Sequence, residues 1–309
     1  MDNAMRYDIR YRTTIVYDDV VRGSQNELRA CPVSDASQQL VAYGVTTHPS
    51  VRVLSYTDYW GTRVDTFGVR EPHVSLEIVA EASVETTPRP IVTVSPRQID
   101  LTDPAFRDEH LEFLTRTDHT AWTEDITANA RRIAARTGDD VVGTVLAIHR
   151  FVHTSLQYTP GATYIGVDVN EVLAEARGVC QDYAHLAVAL CRSIGIPARY
   201  VSGYFFAKSD ATGKDTDGDE VEVQTHAWFE AAVPGWGWLA LDPTNAQQVG
   251  LRHIAIGVGR DYDDVPPVRG VYSGAGRPST DALVEMRRHS VALHQRQAQQ
   301  QQQQRQHRV

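Results

Sequence analysis

The chain has 309 residues, 42% of them hydrophobic, enough for one large or two ordinary domains with proper cores. A formal net charge of -9 argues against nonspecific nucleic-acid binding, which needs a basic face. Three cysteines with no Cys-x-x-Cys pair support neither a disulfide scaffold nor a zinc ribbon, and no segment approaches the roughly 18 consecutive apolar residues of a membrane span.

Met1 to Asp8 holds no apolar run, so no secretory signal is expected, and a free thiol suits a reducing cytoplasm. Residues 6 to about 95 read as β-structure: Tyr7, Ile9 and Tyr11 alternate with charged residues, Val74, Leu76 and Ile78 with polar ones, and Tyr59-Trp60-Gly61 is a turn. A small antiparallel β-sandwich over residues 1–100 is predicted, closing near the Pro-rich link Thr87-Pro88-Arg89-Pro90. Residues 103 to 158 read as helical. Thr123 precedes an amphipathic run through Ile126, Ala130, Ile133 and Ala134, and Asp139-Asp140 opens a second, from Val142 to Val152. Asn170 caps a short helix, Glu171 to Ala176. The segment Lys208 to Glu222 is acidic; its glycine comes too early for an EF-hand loop and the closing glutamate is missing, so it reads as a solvated hairpin tip. The tail over 289–309 is Gln-rich and predicted to be disordered, and His294 and His307 have poor spacing for a metal.

The chemistry concentrates between residues 177 and 245. Gly178 turns the chain into a strongly apolar helix that begins at Cys180, through Tyr183, Leu186, Ala187, Leu190, Cys191 and Ile194, and stops at Gly195 and Pro197. A free cysteine has a pKa of about 8.5; a helix N-terminus or a neighbouring imidazolium lowers it to roughly 3.5–7.5. The unpaired N–H groups of the same helix end can receive an oxyanion. Asp182, in the first turn, opposes thiolate formation, so a histidine must outweigh it. Val221 to Ala231 alternates as a strand that carries His226, Pro234-Gly235 turns, and Trp236 to Leu241 returns. An antiparallel pair of that length brings His226 within reach of Asp242, whose carboxylate would hold the imidazole in one tautomer. Cys31 and Cys191 read as small buried hydrophobes.

Taken with their order and spacing, Arg177-Gly178-Val179-Cys180-Gln181-Asp182-Tyr183-Ala184-His185-Leu186, Gly195 to Tyr204, His226-Ala227-Trp228, Leu241-Asp242-Pro243-Thr244-Asn245 and His253 to Pro267 resemble the bacterial branch of the transglutaminase-like superfamily. The start of the chain, notably Asn26 to Pro32, is similar to that branch's N-terminal β-rich region. The resemblance implies an α+β fold: an N-terminal antiparallel β-sandwich followed by a papain-like α+β catalytic core, here 101–288. It also implies a Cys–His–Asp triad, falling on Cys180, His226 and Asp242, and acyl transfer through a thioester on a protein or peptide substrate. No cofactor, metal, nucleic acid or membrane partner is implied.

Around the triad, Gln181 either donates to the oxyanion or caps the turn. Trp228 either shields the site from water or packs in the core, and Tyr204 and Asp261-Tyr262 either line the cleft or form tight turns. His185, five positions after Cys180, is out of phase for a shared helix face and reads as a packed histidine. The alternative function is a catalytically silent interaction module on the same fold; its mark would be a missing triad residue, and none is missing.

Overall fold

The structure, a computed structural model, describes residues 4–161, 166–207 and 219–290. The acidic segment from Lys208 lies mostly outside the described residues, as does the Gln-rich tail beyond Ser290 with His294 and His307.

Six strands come first: β1 (Met5–Val21), β2 (Gly23–Leu28), β3 (Gln38–His48), β4 (Leu54–Thr57), β5 (Arg63–Val69) and β6 (His73–Thr86). A helical stretch follows, with α1 (Pro104–Glu109), α2 (Glu124–Thr137), α3 (Val141–Ser155), α4 (Val169–Glu175) and α5 (Cys180–Ser193), interrupted by the short parallel pair β7 (Gln157–Tyr158) and β8 (Arg177–Gly178). The remainder is strands: β9 (Ala198–Phe205), β10 (Glu220–Val223), β11 (His226–Val233), β12 (Gly237–Asp242), β13 (Gln247–Gln248), β14 (His253–Gly259), β15 (Val268–Ser273) and β16 (Pro278–Ser290).

These form an α+β fold, as expected. A five-stranded sheet, β10-β16-β1-β6-β3, and a four-stranded sheet, β15-β2-β5-β4, share one apolar core. In β1 the side chains of Tyr7, Ile9, Tyr11, Ile15 and Tyr17 are buried at alternate positions, so the two-residue period of the sequence is the period of burial. The third sheet, β13-β12-β11-β9-β14, packs against α5, and α2, α3 and α4 gather around that helix. From Asp182 to Arg192 every residue of α5 is buried. Its polar side chains have partners there: Arg192, for instance, donates to the carbonyls of Thr115, Ala198 and Arg260 and to Thr120 Oγ1.

Three local expectations are corrected. The sandwich does not close near residue 100, and the catalytic part does not run unbroken to 288: β15 pairs with β2, and β16 pairs with β1 from Tyr17↔Pro278 to Met5↔Ser290. Each returning strand covers an edge that would otherwise present unpaired N–H and C=O groups. The alternation from Val221 to Ala231 is two strands, because β10 pairs with β16 of the sandwich while β11 pairs with β9. A period of two reports which face is buried, not which strand lies alongside. The cap of α4 is Asp168, whose carboxylate accepts the Asn170 N–H; Asn170 instead bonds Ala121 and Thr123, tying α4 to the start of α2.

Candidate active site

Cys180 is the first residue of α5, half-buried. Asp182 bends back so that its carboxylate accepts the Val179 N–H at 2.7 Å, and this carboxylate fills the space where a Cβ on Gly178 would stand. Glycine at 178 is therefore a packing requirement. The N–H groups of Asp182 and Tyr183 both close on Val179 O, leaving those of Cys180 and Gln181 without an acceptor among the described residues. The Cys180 sulfur lies 4.0 Å from Thr225 O and packs with Tyr262 against Ala184, Tyr200, Ala227 and Val265.

His226 opens β11, opposite Gly203 of β9. Its Nε2 donates to Asp242 Oδ2 at 2.8 Å, and the residue before it, Thr225, brings its carbonyl within 4.0 Å of the Cys180 sulfur. Burial lowers the His226 pKa, but the hydrogen bonds and charges of Asp242 and Cys180 outweigh burial and raise it to about 10. Asp242 ends β12 and is fully buried. Its Oδ1 accepts the backbone N–H groups of Thr244 and Asn245, and its Oδ2 also accepts the Asn245 amide at 2.7 Å. Burial raises the carboxylate pKa, and the bonds from His226 and His253 more than reverse this, so it stays ionised far below the usual range.

A second imidazole, not singled out from sequence, completes this cluster. His253 donates from Nε2 to the same Asp242 oxygen at 3.1 Å, while its Nδ1 accepts the Gly250 N–H at 3.2 Å. That acceptor role places the ring proton on Nε2. Burial keeps His253 neutral, lowering its pKa against the pull of Asp242. Two histidines of α3, His149 and His153, donate to the carbonyls of Asp242 and Pro243 at 2.9 and 3.0 Å. Their i, i+4 spacing puts them on one helix face, the only sequence signal that marked them. The ligand atoms of His226, Asp242 and His253 lie within 4.8 Å of one another. Both imidazoles spend their Nε2 protons on one carboxylate oxygen, so the cluster is satisfied by hydrogen bonds and a metal would have to displace both.

Of the other candidates, Gln181 stays at the mouth of the site, half-buried beside the unpaired N–H groups. Trp228 and Tyr204 are corrections. Trp228 is fully buried, edge-on to His253 with ring centroids 5.4 Å apart, and lines no open cleft. Tyr204 stacks on Tyr11, bonds Ala30 O and belongs to the sandwich core. His185 is a packed helix histidine: its Nε2 accepts the Tyr262 N–H and its ring stacks on His119. Asp261 caps the turn at Asp263, whereas Tyr262 reaches the Cys180 cluster. Cys31 and Cys191 are buried, and burial pushes their thiols up to about 11 and about 12.

The transglutaminase-like superfamily core matches residues 127–243, and the bacterial transglutaminase-like N-terminal region matches residues 7–85. An uncharacterized Mycobacterium leprae protein is 38% identical over 283 residues, covering 92% of this chain and 99% of its own. An uncharacterized Mycobacterium tuberculosis protein is 35% identical over 295 residues, 91% of this chain and 92% of its own. A protein-glutamine gamma-glutamyltransferase of Pseudomonas aeruginosa is 35% identical over 99 residues, 31% of this chain and 14% of its own. Among solved structures, a candidate cysteine protease from Cytophaga hutchinsonii shares the fold, with a TM-score of 0.71 at 24% identity over 92% of this chain and 90% of that one.

Proposed function

Since the chain belongs to the transglutaminase-like superfamily, we propose that it is a cysteine-dependent acyl-transfer enzyme acting on peptide or side-chain amides through a thioester. The observation that carries this reading is the bonded pair His226–Asp242 next to Thr225, whose carbonyl meets the Cys180 sulfur, with that sulfur at a helix N-terminus and the carboxylate wholly buried.

His226 takes the thiol proton at Nδ1, and ionised Asp242 stabilises the resulting imidazolium through Nε2. The thiolate attacks the amide carbonyl: a C–S bond forms and the carbonyl π electrons move to oxygen. The N–H groups of Cys180 and Gln181 point from the helix end toward such an oxyanion, and the Gln181 side chain is a further donor beside them. Collapse expels the amine, or ammonia, as His226 returns its proton to the leaving nitrogen. Water then hydrolyses the thioester with His226 as base; an amine in its place yields a cross-link. The name of the Pseudomonas aeruginosa relative supports the transfer class. The prevalence of water makes hydrolysis the default outcome. The substrate is a protein or peptide, and a thiol nucleophile with two further free cysteines suits the cytoplasm.

Iodoacetamide tests the site without knowledge of the substrate. Cys180 should be alkylated faster than a model thiol near pH 7, and His226→Ala should remove that advantage. Labelling of Cys180 at the model-thiol rate would leave a silent fold and overturn the reading. A library of peptides and isopeptides, read by mass for loss of ammonia, gain of water or gain of amine, separates deamidation, hydrolysis and transfer.

A further inference from the structure

A cavity of about 360 Å³ lies where the sandwich meets the segments carrying Thr225 and Tyr262, within the size range of small-ligand pockets. Two of its walls are Thr225, whose carbonyl lies 4.0 Å from the Cys180 sulfur, and Tyr262, which packs on the same apolar cluster as Cys180. The sandwich supplies the rest, chiefly Tyr11 and Tyr17 of β1, Asn26 of β2 and Tyr272 of β15. Among the described residues, no lining side chain carries a charge. Tyr17 and Tyr272 meet with ring centroids 5.0 Å apart, and the hydroxyls of Tyr17, Tyr262 and Tyr272 make no hydrogen bond among the described residues, so they are free for a ligand.

We propose that this cavity is the substrate-side-chain subsite of the enzyme, taking an uncharged, preferably aromatic, residue of the peptide whose amide is attacked at Cys180. The inference rests on the acyl-transfer reading above. A charged side chain would lose its hydration there and find no counter-ion, a penalty that an unpaired charge cannot recover. An aromatic ring instead gains offset or edge-to-face contact with the tyrosines, and three spare hydroxyls accommodate a hydroxyl or amide on it. The sandwich thus acts as half of the specificity pocket: β15 pairs with β2, and Arg269 of β15 donates to the carbonyl of Asp263, next to Tyr262.

The test compares peptide electrophiles. Acetyl-dipeptide chloromethyl ketones carrying Phe, Leu, Asp or Lys at the first or the second residue from the electrophile alkylate Cys180 with loss of chloride, and the iodoacetamide rate, measured alongside, reads the thiol alone. The Phe probe should react at least about tenfold faster than the Asp probe, in line with discrimination by a hydrophobic pocket. That ratio should fall below about threefold in Ala282→Phe, which fills the cavity from β16, and should drop in Tyr272→Ala, a half-exposed position where folding is not at stake. Rapid iodoacetamide labelling with no side-chain preference, or with a preference that survives both variants, overturns the subsite while the triad stands. Iodoacetamide labelling at the model-thiol rate overturns both.

Discussion

Replacing His253 by Gln or Phe isolates the second imidazole on Asp242. Phenylalanine keeps the ring contacts to Phe205 and Trp228 but strips both hydrogen bonds. Losing a bond to a charged acceptor costs about 1.5–3 kcal/mol, and the orphaned Gly250 N–H, only half-buried, adds about 1 kcal/mol. At about 2–4 °C per kcal/mol for a domain of this order, Tm should fall by roughly 5–15 °C. The pH dependence is the sharper readout. Burial depresses the pKa of His253, so below about 6.5 the unfolded chain binds a proton that the folded chain refuses. The stability from this group is fully present above that pH and lost below it, by up to about 1.4 kcal/mol per unit, until the folded ring titrates. His149 and His185 are shifted in the same direction, so the parent loses stability through three groups and His253→Gln through two. Urea unfolding at pH 7.5 and 5.0 should show His253→Gln losing measurably less stability than the parent between the two. Equal losses in both proteins would refute a neutral, buried His253.

Asp242→Asn should lower turnover by about 10³–10⁴-fold, measured on any substrate the peptide screen yields, because the imidazole loses its tautomer and its counter-charge together. A loss of less than tenfold would place Asp242 outside the reaction. Gly203→Ala should destabilise by about 1–3 kcal/mol or more in urea unfolding, since a Cβ there overlaps both Ile254 O and the Trp228 indole beneath His226 and His253. A change within about 0.5 kcal/mol would mean that the strand yields without strain.

What could be read from sequence was what depends on neighbours in the chain. Cys180 at a helix mouth, His226 on a strand and Asp242 at a strand end follow from local period, glycine and turn chemistry, and the structure joins the last two at 2.8 Å. The positions that escaped depend on partners distant in sequence. His253 has meaning only because β14 lies on β9 and its side chain turns back to β12. Trp228 and Tyr204 were ambiguous because an aromatic residue on a strand looks the same whether its face meets a cleft or a second sheet. The split of Val221 to Ala231 between two sheets was hidden because alternation survives a change of partner.

That dependence on distant partners argues against treating the sandwich as removable. Tyr204 and Phe206, at and just after β9, and Ile254 and Ile256 of β14 are buried in the same core as Tyr7, Ile9 and Leu76 of the sandwich. Gln38 grips β14 from both sides, donating to Ala255 O and accepting Ala255 N–H at 2.9 and 2.8 Å, two residues from His253. A path of contacts therefore runs from the sandwich through β14 and His253 to Asp242. Removing residues 1–100 would expose that core and leave β15 and β16 with open edges. A chain of 101–309 expressed alone should aggregate, whereas co-expression with 1–100 as a separate chain should restore soluble protein with rapid Cys180 labelling, because strand pairing and apolar packing hold the two parts together without need of the peptide bond between them. Soluble 101–309 that labels at the parent rate by itself would show that the carboxylate is held without the sandwich, and the path through Gln38 and His253 would then be incidental.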